Sequence, residues 1–390
     1  MSETLLSMHQ VFPVVTLTGP RQSGKTTLSR HLYPHKPYIN MENVQTQMLF
    51  RENPVGYLNS FAEGVIIDEA QLEPEVFKAL QVVVDEDRYR GKNREFIVTG
   101  SSNFSIMAKT SESMAGRTAP LVLLPLSTDE ILKFNKENLS TSQLAFLGGY
   151  PKVWVSAPSL KDIIIQSYID TYVERDLRQL MNIKDLNKFI KFLGLCAGRV
   201  GTELNRTALA VETGVTVATI DSWISVLEAS YILWLLPPWS TNLNKRLTKS
   251  PKLYFYDTGL LCSILGISEV SHLERHPLRG AIFENMVVNN FIKATLNKGR
   301  KPRLSFFRDK TGREIDLISE TGSGLHLYEI KASTGFNPDY FKNIRYFEKT
   351  FRENVISASI IYDGQSSVTD NLHSGIYNFR DFNYDEIIVD

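Results

Sequence analysis

Hydrophobic positions in the first third of the chain fall in short unbroken runs set between longer mixed stretches. Val14-Val-Thr-Leu-Thr18, Gly64-Val-Ile-Ile-Asp68, Glu95-Phe-Ile-Val-Thr99 and Pro120–Leu124 are runs of this kind. Apolar runs of this length, bounded by turn formers, predict strands buried on both faces. Helices are expected between them, one from about Lys25 and another from about Glu73-Pro-Glu. Pro74 suits a first helical turn, where its missing N–H is not needed. Strands alternating with helices predict an α/β domain built on a parallel sheet.

Beyond Pro125 the period lengthens. Apolar positions recur at helical spacing in Ile163–Val173, and Leu126–Arg199 reads as mostly helical. Asn205–Leu236 predicts a helix over Thr207–Thr213, a tight turn at Gly214 and a second helix over Thr216–Ser230. From about Pro277 the pattern becomes α+β, with a helix at Ile282–Leu296. Strands are expected at Arg303–Phe307, Glu314–Ile318, Leu325–Lys331 and Ser357–Tyr362. These shifts divide the chain into segments 1–125, 126–270 and 271–390.

With 390 residues, 43% hydrophobic and 22% charged, the chain is globular and too long for one ordinary core. Cys196 and Cys262 lie far apart and outside any CxxC, which excludes a disulfide framework or zinc knuckle and fits a reducing cytosol. The longest apolar stretch, Tyr231–Trp239, is shorter than the roughly 18 residues of a membrane span and contains Pro237-Pro238. The N-terminus lacks the basic start and long apolar core of a secretion signal, so a cytoplasmic location away from membranes is expected. A formal net charge of zero argues against a broadly basic nucleic-acid binder and leaves room for a local patch.

The first apolar run leads into Gly19-Pro20-Arg21-Gln22-Ser23-Gly24-Lys25-Thr26, a full GxxxxGK[ST] match between strand and helix, and Thr27 follows it. Glycines let backbone N–H groups turn inward around phosphate oxygens at the positive end of the next helix. Lys25 then reaches the β- and γ-phosphates of ATP, and Thr26 offers a hydroxyl to Mg²⁺. The second run ends in Asp68-Glu69. Asp68 is placed to hold the magnesium shell and Glu69 to polarise the attacking water. Ser101, in Thr99-Gly-Ser-Ser102, is a candidate sensor of the γ-phosphate, although such a sequence is also an ordinary turn. Arg117 is a candidate arginine finger, acting in cis or from a neighbour in a homo-oligomer, and equally a surface arginine.

At these residues a family resemblance emerges. Thr18–Thr27, Ile67-Asp-Glu-Ala-Gln71, Thr99–Ser102 and Ala115–Leu121 resemble the predicted bacterial and archaeal ATPases of the AAA superfamily that carry a C-terminal domain of unknown function. Gly148-Gly-Tyr-Pro151, Tyr172–Leu177, Lys252–Leu260 and Phe283-Glu-Asn285 extend the resemblance to the rest of the chain. It implies a multidomain protein: an α/β P-loop NTPase domain, a helical middle and an α+β end.

The middle segment resembles a winged helix-turn-helix, with Thr216 and Thr219 at the start of its second helix. Lys245, Arg246, Lys249 and Lys252 follow where a wing would lie, and DNA phosphates are the natural partner for such a cluster. The second helix itself carries Asp221 and Glu228 and no lysine or arginine, so a protein-docking role stands beside the DNA one.

Near the C-terminus Glu314-Ile-Asp316 precedes Glu329-Ile-Lys331 on adjacent expected strands. Alternation puts Glu329 and Lys331 on one face, within reach of Asp316. Two carboxylates and a lysine make a hard-oxygen site for Mg²⁺ or Mn²⁺, and Glu284 on the preceding helix can add a carboxylate. An exposed, salt-bridged strand pair is the plainer reading. The order helix-Glu, strand-Asp, strand-Glu-x-Lys resembles the restriction-endonuclease-like nucleases. That resemblance implies metal binding by Asp316 and Glu329, action of Lys331 on the water and support from Glu284; the usual proline before the aspartate is replaced by Ile315. The expected function is therefore an ATPase whose cycle controls a metal-dependent DNA-processing module. A non-cleaving, ATP-switched regulator and an assembly scaffold are the alternatives.

Overall fold

The computed structural model describes residues 1–101, 114–135, 137–171, 185–241, 249–351, 355–368 and 374–385. The chain packs as two compact units, one of Met1–Pro125 with 229–231 and 296–300, the other of the remaining residues from Leu126 onward.

In the first unit the elements are α1 (Ser2–His9), β1 (Val14–Thr18), α2 (Lys25–Leu32), β2 (Tyr38–Asn40), α3 (Val44–Glu52) and α4 (Pro54–Asn59). They continue with β3 (Ile66–Asp68), α5 (Glu75–Tyr89), β4 (Phe96–Gly100) and β5 (Thr118–Val122). The five strands form one parallel sheet in the order β2-β3-β4-β1-β5. β1 and β4 are buried along their whole length, which is why they read as continuous apolar runs. Val14, Val65, Ile67, Phe96 and Val98 pack against Phe77, Leu80 and Val83 of α5. Val15, Leu17, Ala119 and Leu121 form a separate core with Leu5 and Leu28.

β2, α3 and α4 were not expected from the pattern. β2 is three residues long, too short to show a period. Their start signals are local: Asn43 accepts from the Gln45 and Thr46 N–H groups, and Asn53 precedes Pro54 and accepts from Gly56. Pro74 stands at the cap of α5 after a tight turn over Ala70–Leu72, one step earlier than the first helical turn expected for it.

The second unit begins with α6 (Thr128–Phe134), α7 (Thr141–Leu147), α8 (Pro151–Trp154) and α9 (Lys161–Tyr168). Ser127 with Glu130 and Ser140 with Gln143 form reciprocal capping boxes at α6 and α7. α10 (Leu186–Ala197), α11 (Arg206–Thr213) and α12 (Val217–Ala229) follow, and then the antiparallel pair β6 (Leu233–Leu236) and β7 (Lys252–Phe255). Gly214 ends α11 with φ 73°, a left-handed value that favours glycine. The segment Tyr172–Leu177 lies outside the described residues.

α13 (Thr258–Ile264), α14 (Val270–Arg275) and the long α15 (Arg279–Asn297) lead to β8 (Leu304–Arg308), β9 (Glu314–Glu320) and β10 (Leu325–Lys331). α16 (Lys342–Phe351), β11 (Val355–Tyr362), β12 (Ser367–Val368) and β13 (Ser374–Asn378) complete the fold. The six strands form a mixed sheet in the order β12-β13-β11-β10-β9-β8. Ile344 and Phe347 of α16 cover Ile318, Leu327 and Ile360, with Trp239 packed beside them. Phe306 of β8 donates its N–H to Pro237 and accepts from Trp239, so the chain leaving β6 runs along the outer edge of this sheet.

Candidate functional site

The loop after β1 takes backbone conformations that its sequence anticipates. Gly19 has φ 146°, and a Cβ there would stand 2.1 Å from the Leu123 carbonyl oxygen. Gly24 has φ 99° at the start of α2, and Gln22, at φ 61°, is left-handed despite its side chain. Lys25 is buried and folds back over the loop, donating to the carbonyls of Gly19 at 2.9 Å and Pro20 at 2.7 Å. Burial pushes its ammonium down to about 8, opposed by the charges of Glu69 and Asp68. The buried Ser23 hydroxyl has no hydrogen-bond partner within the protein, as a donor directed at phosphate would have.

Because β4 is inserted between β1 and β3, its end stands beside the acidic end of β3. Asp68 is held by four donors. Thr26 and Tyr38 hydroxyls each reach Oδ2 at 2.7 Å, the Glu69 N–H reaches Oδ1 at 3.1 Å, and the Thr99 hydroxyl also bonds Oδ1. Glu69 has φ 52°, an uncommon backbone state for a side chain of this kind and one that recurs at functional sites. Its Oε2 accepts from Ser101 at 3.2 Å and from the Gln71 amide. The fold thus brings Lys25, Thr26, Asp68, Glu69 and Ser101 to one end of the sheet. Tyr38 and Gln71 join them without having been expected there. Gln71 stands within the Ile67–Gln71 motif, while Tyr38 carries no sequence signal at all.

Arg117 is not directed at this site in cis. Its Nε and Nη2 bind both oxygens of Asp85 on α5, at 2.7 and 2.8 Å. A cation in a two-point pair with its own carboxylate is already engaged.

In the second unit the β9–β10 ladder ends at the Leu317–Tyr328 pair. Past it, the Ile330 N–H is taken by the Asp316 carboxylate, at 2.8 Å. Lys331 Nζ lies 2.7 Å from Glu329 Oε1 and 3.1 Å from Asp316 Oδ2. Glu329 Oε2 is buried and has no hydrogen-bond partner. Burial pushes the Glu329 carboxyl up to about 8, with Asp316 adding to the rise and Lys331 opposing it. Burial acts to lower the Lys331 ammonium, but Asp316 and Glu329 outweigh it and hold it above its ordinary value.

Glu284 of α15 accepts from the Tyr254 hydroxyl and lies 3.2 Å from Lys252 Nζ. Burial lifts its carboxyl to about 7, against the pull of Lys252. Among the described residues no three Asp, Glu, His or Cys side chains form a metal cage by themselves. A pair of carboxylates with one oxygen unpartnered is still a fit for Mg²⁺, which commonly takes one or two carboxylates and completes its shell with water.

The basic residues do not form one surface patch, since Lys252 turns inward. Lys252 is 2% exposed and paired with Glu284 and Glu314, so it is no phosphate contact. Its place on β7, facing α15 and β9, could not be read from a run of basic residues. Lys249 is exposed, and Lys245 and Arg246 lie outside the described residues. Thr216 is spent on α12 itself, its hydroxyl accepting from the Thr219 N–H at 3.1 Å. Asp221 pairs with Arg206 at 2.6 Å. No helix among the described residues is long and apolar enough to cross a membrane.

A parallel sheet with a phosphate-binding loop after β1 and an Asp-Glu pair at the end of β3 defines a P-loop ATPase of the AAA kind. The AAA domain model matches residues 11–132, and two domains of unknown function, DUF8612 and DUF4143, match residues 138–271 and 279–378. Uncharacterized proteins of Mycobacterium tuberculosis and Mycobacterium bovis are each 31% identical to the chain over 331 residues, covering 84% of this chain and 72% of theirs. A Walker-type ATPase of Pyrococcus abyssi is a solved structure with 14% identity and a TM-score of 0.45, covering 67% of this chain and 94% of that one. The chain belongs to the family of these mycobacterial proteins, with an AAA domain at its N-terminal end.

Proposed function

We propose that this AAA-type ATPase uses its nucleotide cycle to control a metal-dependent DNA-processing module in its second unit. One observation carries the proposal: Asp316, Glu329 and Lys331 converge where two strands part, and Glu329 keeps a buried, unpartnered oxygen. Asp316 and Glu329 would hold Mg²⁺ or Mn²⁺, which supplies charge neutralisation at a phosphodiester and acidifies bound water. Lys331, within hydrogen-bond reach of both carboxylates, orients the attacking water. In the first unit Thr26 and Asp68 accommodate the magnesium of Mg·ATP, and Glu69 takes the proton of the hydrolytic water, with Ser101 and Gln71 holding its carboxylate. The helix-turn-helix of α11 and α12 with the β6–β7 pair would serve as a winged-helix DNA contact, through Lys249 and its neighbours Lys245 and Arg246. Cys196 and Cys262 are buried and free, as suits a cytoplasmic protein.

Purified protein incubated with Mg²⁺ or Mn²⁺, ATP, and single- or double-stranded DNA tests the reading. Cleavage should depend on the cation, vanish in Asp316→Ala, and vanish in Lys331→Ala with most metal affinity kept. Cleavage surviving both substitutions refutes the site. Metal binding without cleavage of any DNA or RNA would favour a non-cleaving, ATP-switched regulator.

A further inference from the structure

The acidic cluster of the second unit draws on two stretches of chain. Glu284, Glu314, Asp316, Glu329 and Lys331 fall within the 279–378 domain, but Lys252 and Tyr254 fall within the 138–271 domain. As alternate residues of β7 they point to one side of it. Lys252 Nζ pairs with Glu284 on α15 and with Glu314, the first residue of β9. The Tyr254 hydroxyl donates to the same Glu284 oxygen that Lys252 contacts. Asp316 lies two residues beyond Glu314 on the same strand. The ammonium therefore ties the helix carrying one carboxylate to the strand carrying another.

Both side chains are themselves fixed. Lys252 lies over the Phe306 ring, 5.4 Å from its centre. Tyr254 is fully buried and stacks on Trp234, at 5.6 Å between ring centres. The β7 backbone is anchored by Leu253, which accepts from Gly201 at 2.8 Å and donates to Thr202 at 3.1 Å. We infer that Lys252 and Tyr254 are positioning residues of the acidic cluster, supplied by the neighbouring domain, and that they hold Glu284 and β9 in the arrangement that binds a divalent cation. This rests on the metal-site reading of Asp316 and Glu329. It also means that the 279–378 segment does not contain its whole site.

A lysine serving only as an internal counter-ion would act in the opposite direction, because its removal would leave the cluster more negative and tighten cation binding. Tyr254→Phe separates the two roles, since it deletes a donor to Glu284 without changing charge. The experiment is titration of Mn²⁺ into the nucleotide-free full-length protein by calorimetry, with melting temperatures recorded alongside. Partners that orient metal-binding side chains typically account for about 10- to 100-fold in affinity. Tyr254→Phe should weaken Mn²⁺ binding about tenfold with its melting temperature close to wild type, and Lys252→Met more strongly. Wild-type or tighter affinity in Tyr254→Phe, with binding lost in Asp316→Ala, overturns the inference and leaves the metal site standing. Absence of Mn²⁺ binding in the wild type, or wild-type binding in Asp316→Ala, overturns both. Should Lys252→Met fail to fold, Tyr254→Phe decides alone.

Discussion

Glu329→Gln isolates one buried carboxyl of the second unit. The Glu329 carboxyl is pushed from 4.5 to about 8, first by burial and then by Asp316. Between those values the folded chain keeps a proton that the unfolded chain has lost. The folded state binds more protons there, so the contribution of Glu329 to stability is greatest at low pH and falls as pH rises from near 4.5 through about 8. The full span sets a ceiling of about 5 kcal/mol on the loss, and even half of it is about 2 kcal/mol. For a unit of this size that corresponds to roughly 4–8 °C in melting temperature. Glutamine keeps the shape of the side chain and has no proton to lose. Melting of wild type and Glu329→Gln in chelator, from about pH 5 to about pH 9, should therefore diverge, with the wild type falling faster. Parallel curves across that range would show that Glu329 is ionised in the folded chain and that its burial is not the controlling cost.

The remaining predictions concern other parts of the molecule. Lys25→Ala should abolish or greatly weaken ATP binding, whereas Glu69→Gln should retain it and lower turnover by roughly 100- to 10,000-fold, the usual worth of a general base; equal turnover excludes Glu69 from that role. Arg94 binds both oxygens of the buried Asp87, at 2.6 and 2.8 Å, so Arg94→Met strands a carboxylate and should cost about 3–5 kcal/mol in thermal or denaturant unfolding. Replacing Lys245, Arg246 and Lys249 together by alanine should weaken DNA binding and reduce its salt slope by roughly one for each phosphate no longer neutralised. An unchanged slope favours protein docking by the helix-turn-helix.

The parts of the fold that the sequence displayed are those where burial is uniform or alternates cleanly. β1 and β4 are apolar throughout because both faces are covered, and β10 places Glu329 and Lys331 on one side because a strand has period two. The order of the strands carried no such mark. That β4 would separate β1 from β3, and so bring Thr99 onto Asp68, depends on crossovers that local pattern does not encode. Tyr38 escaped notice because a three-residue strand has no period, although its hydroxyl lies 2.7 Å from Asp68. Lys252 misled because four basic residues close together in sequence look like one solvated patch, and only tertiary packing turns one of them inward. Arg117 was open to two readings in the sequence, and its pairing with Asp85, 32 positions away on α5, agrees with the surface one.

The chain running along β8 has a consequence for how the protein behaves in a crowded solution. Open sheet edges are templates on which strands of other molecules can add, and proteins must block them to stay dispersed. Here the segment that meets Phe306 contains Pro237 and Pro238, and neither residue has an N–H to donate. Of the two, Pro238 is the one whose main-chain groups face away from β8, so the outward side lacks a donor there. The protein thus closes this border of its sheet with a piece of its own backbone in which Pro238 has no N–H to offer a further strand.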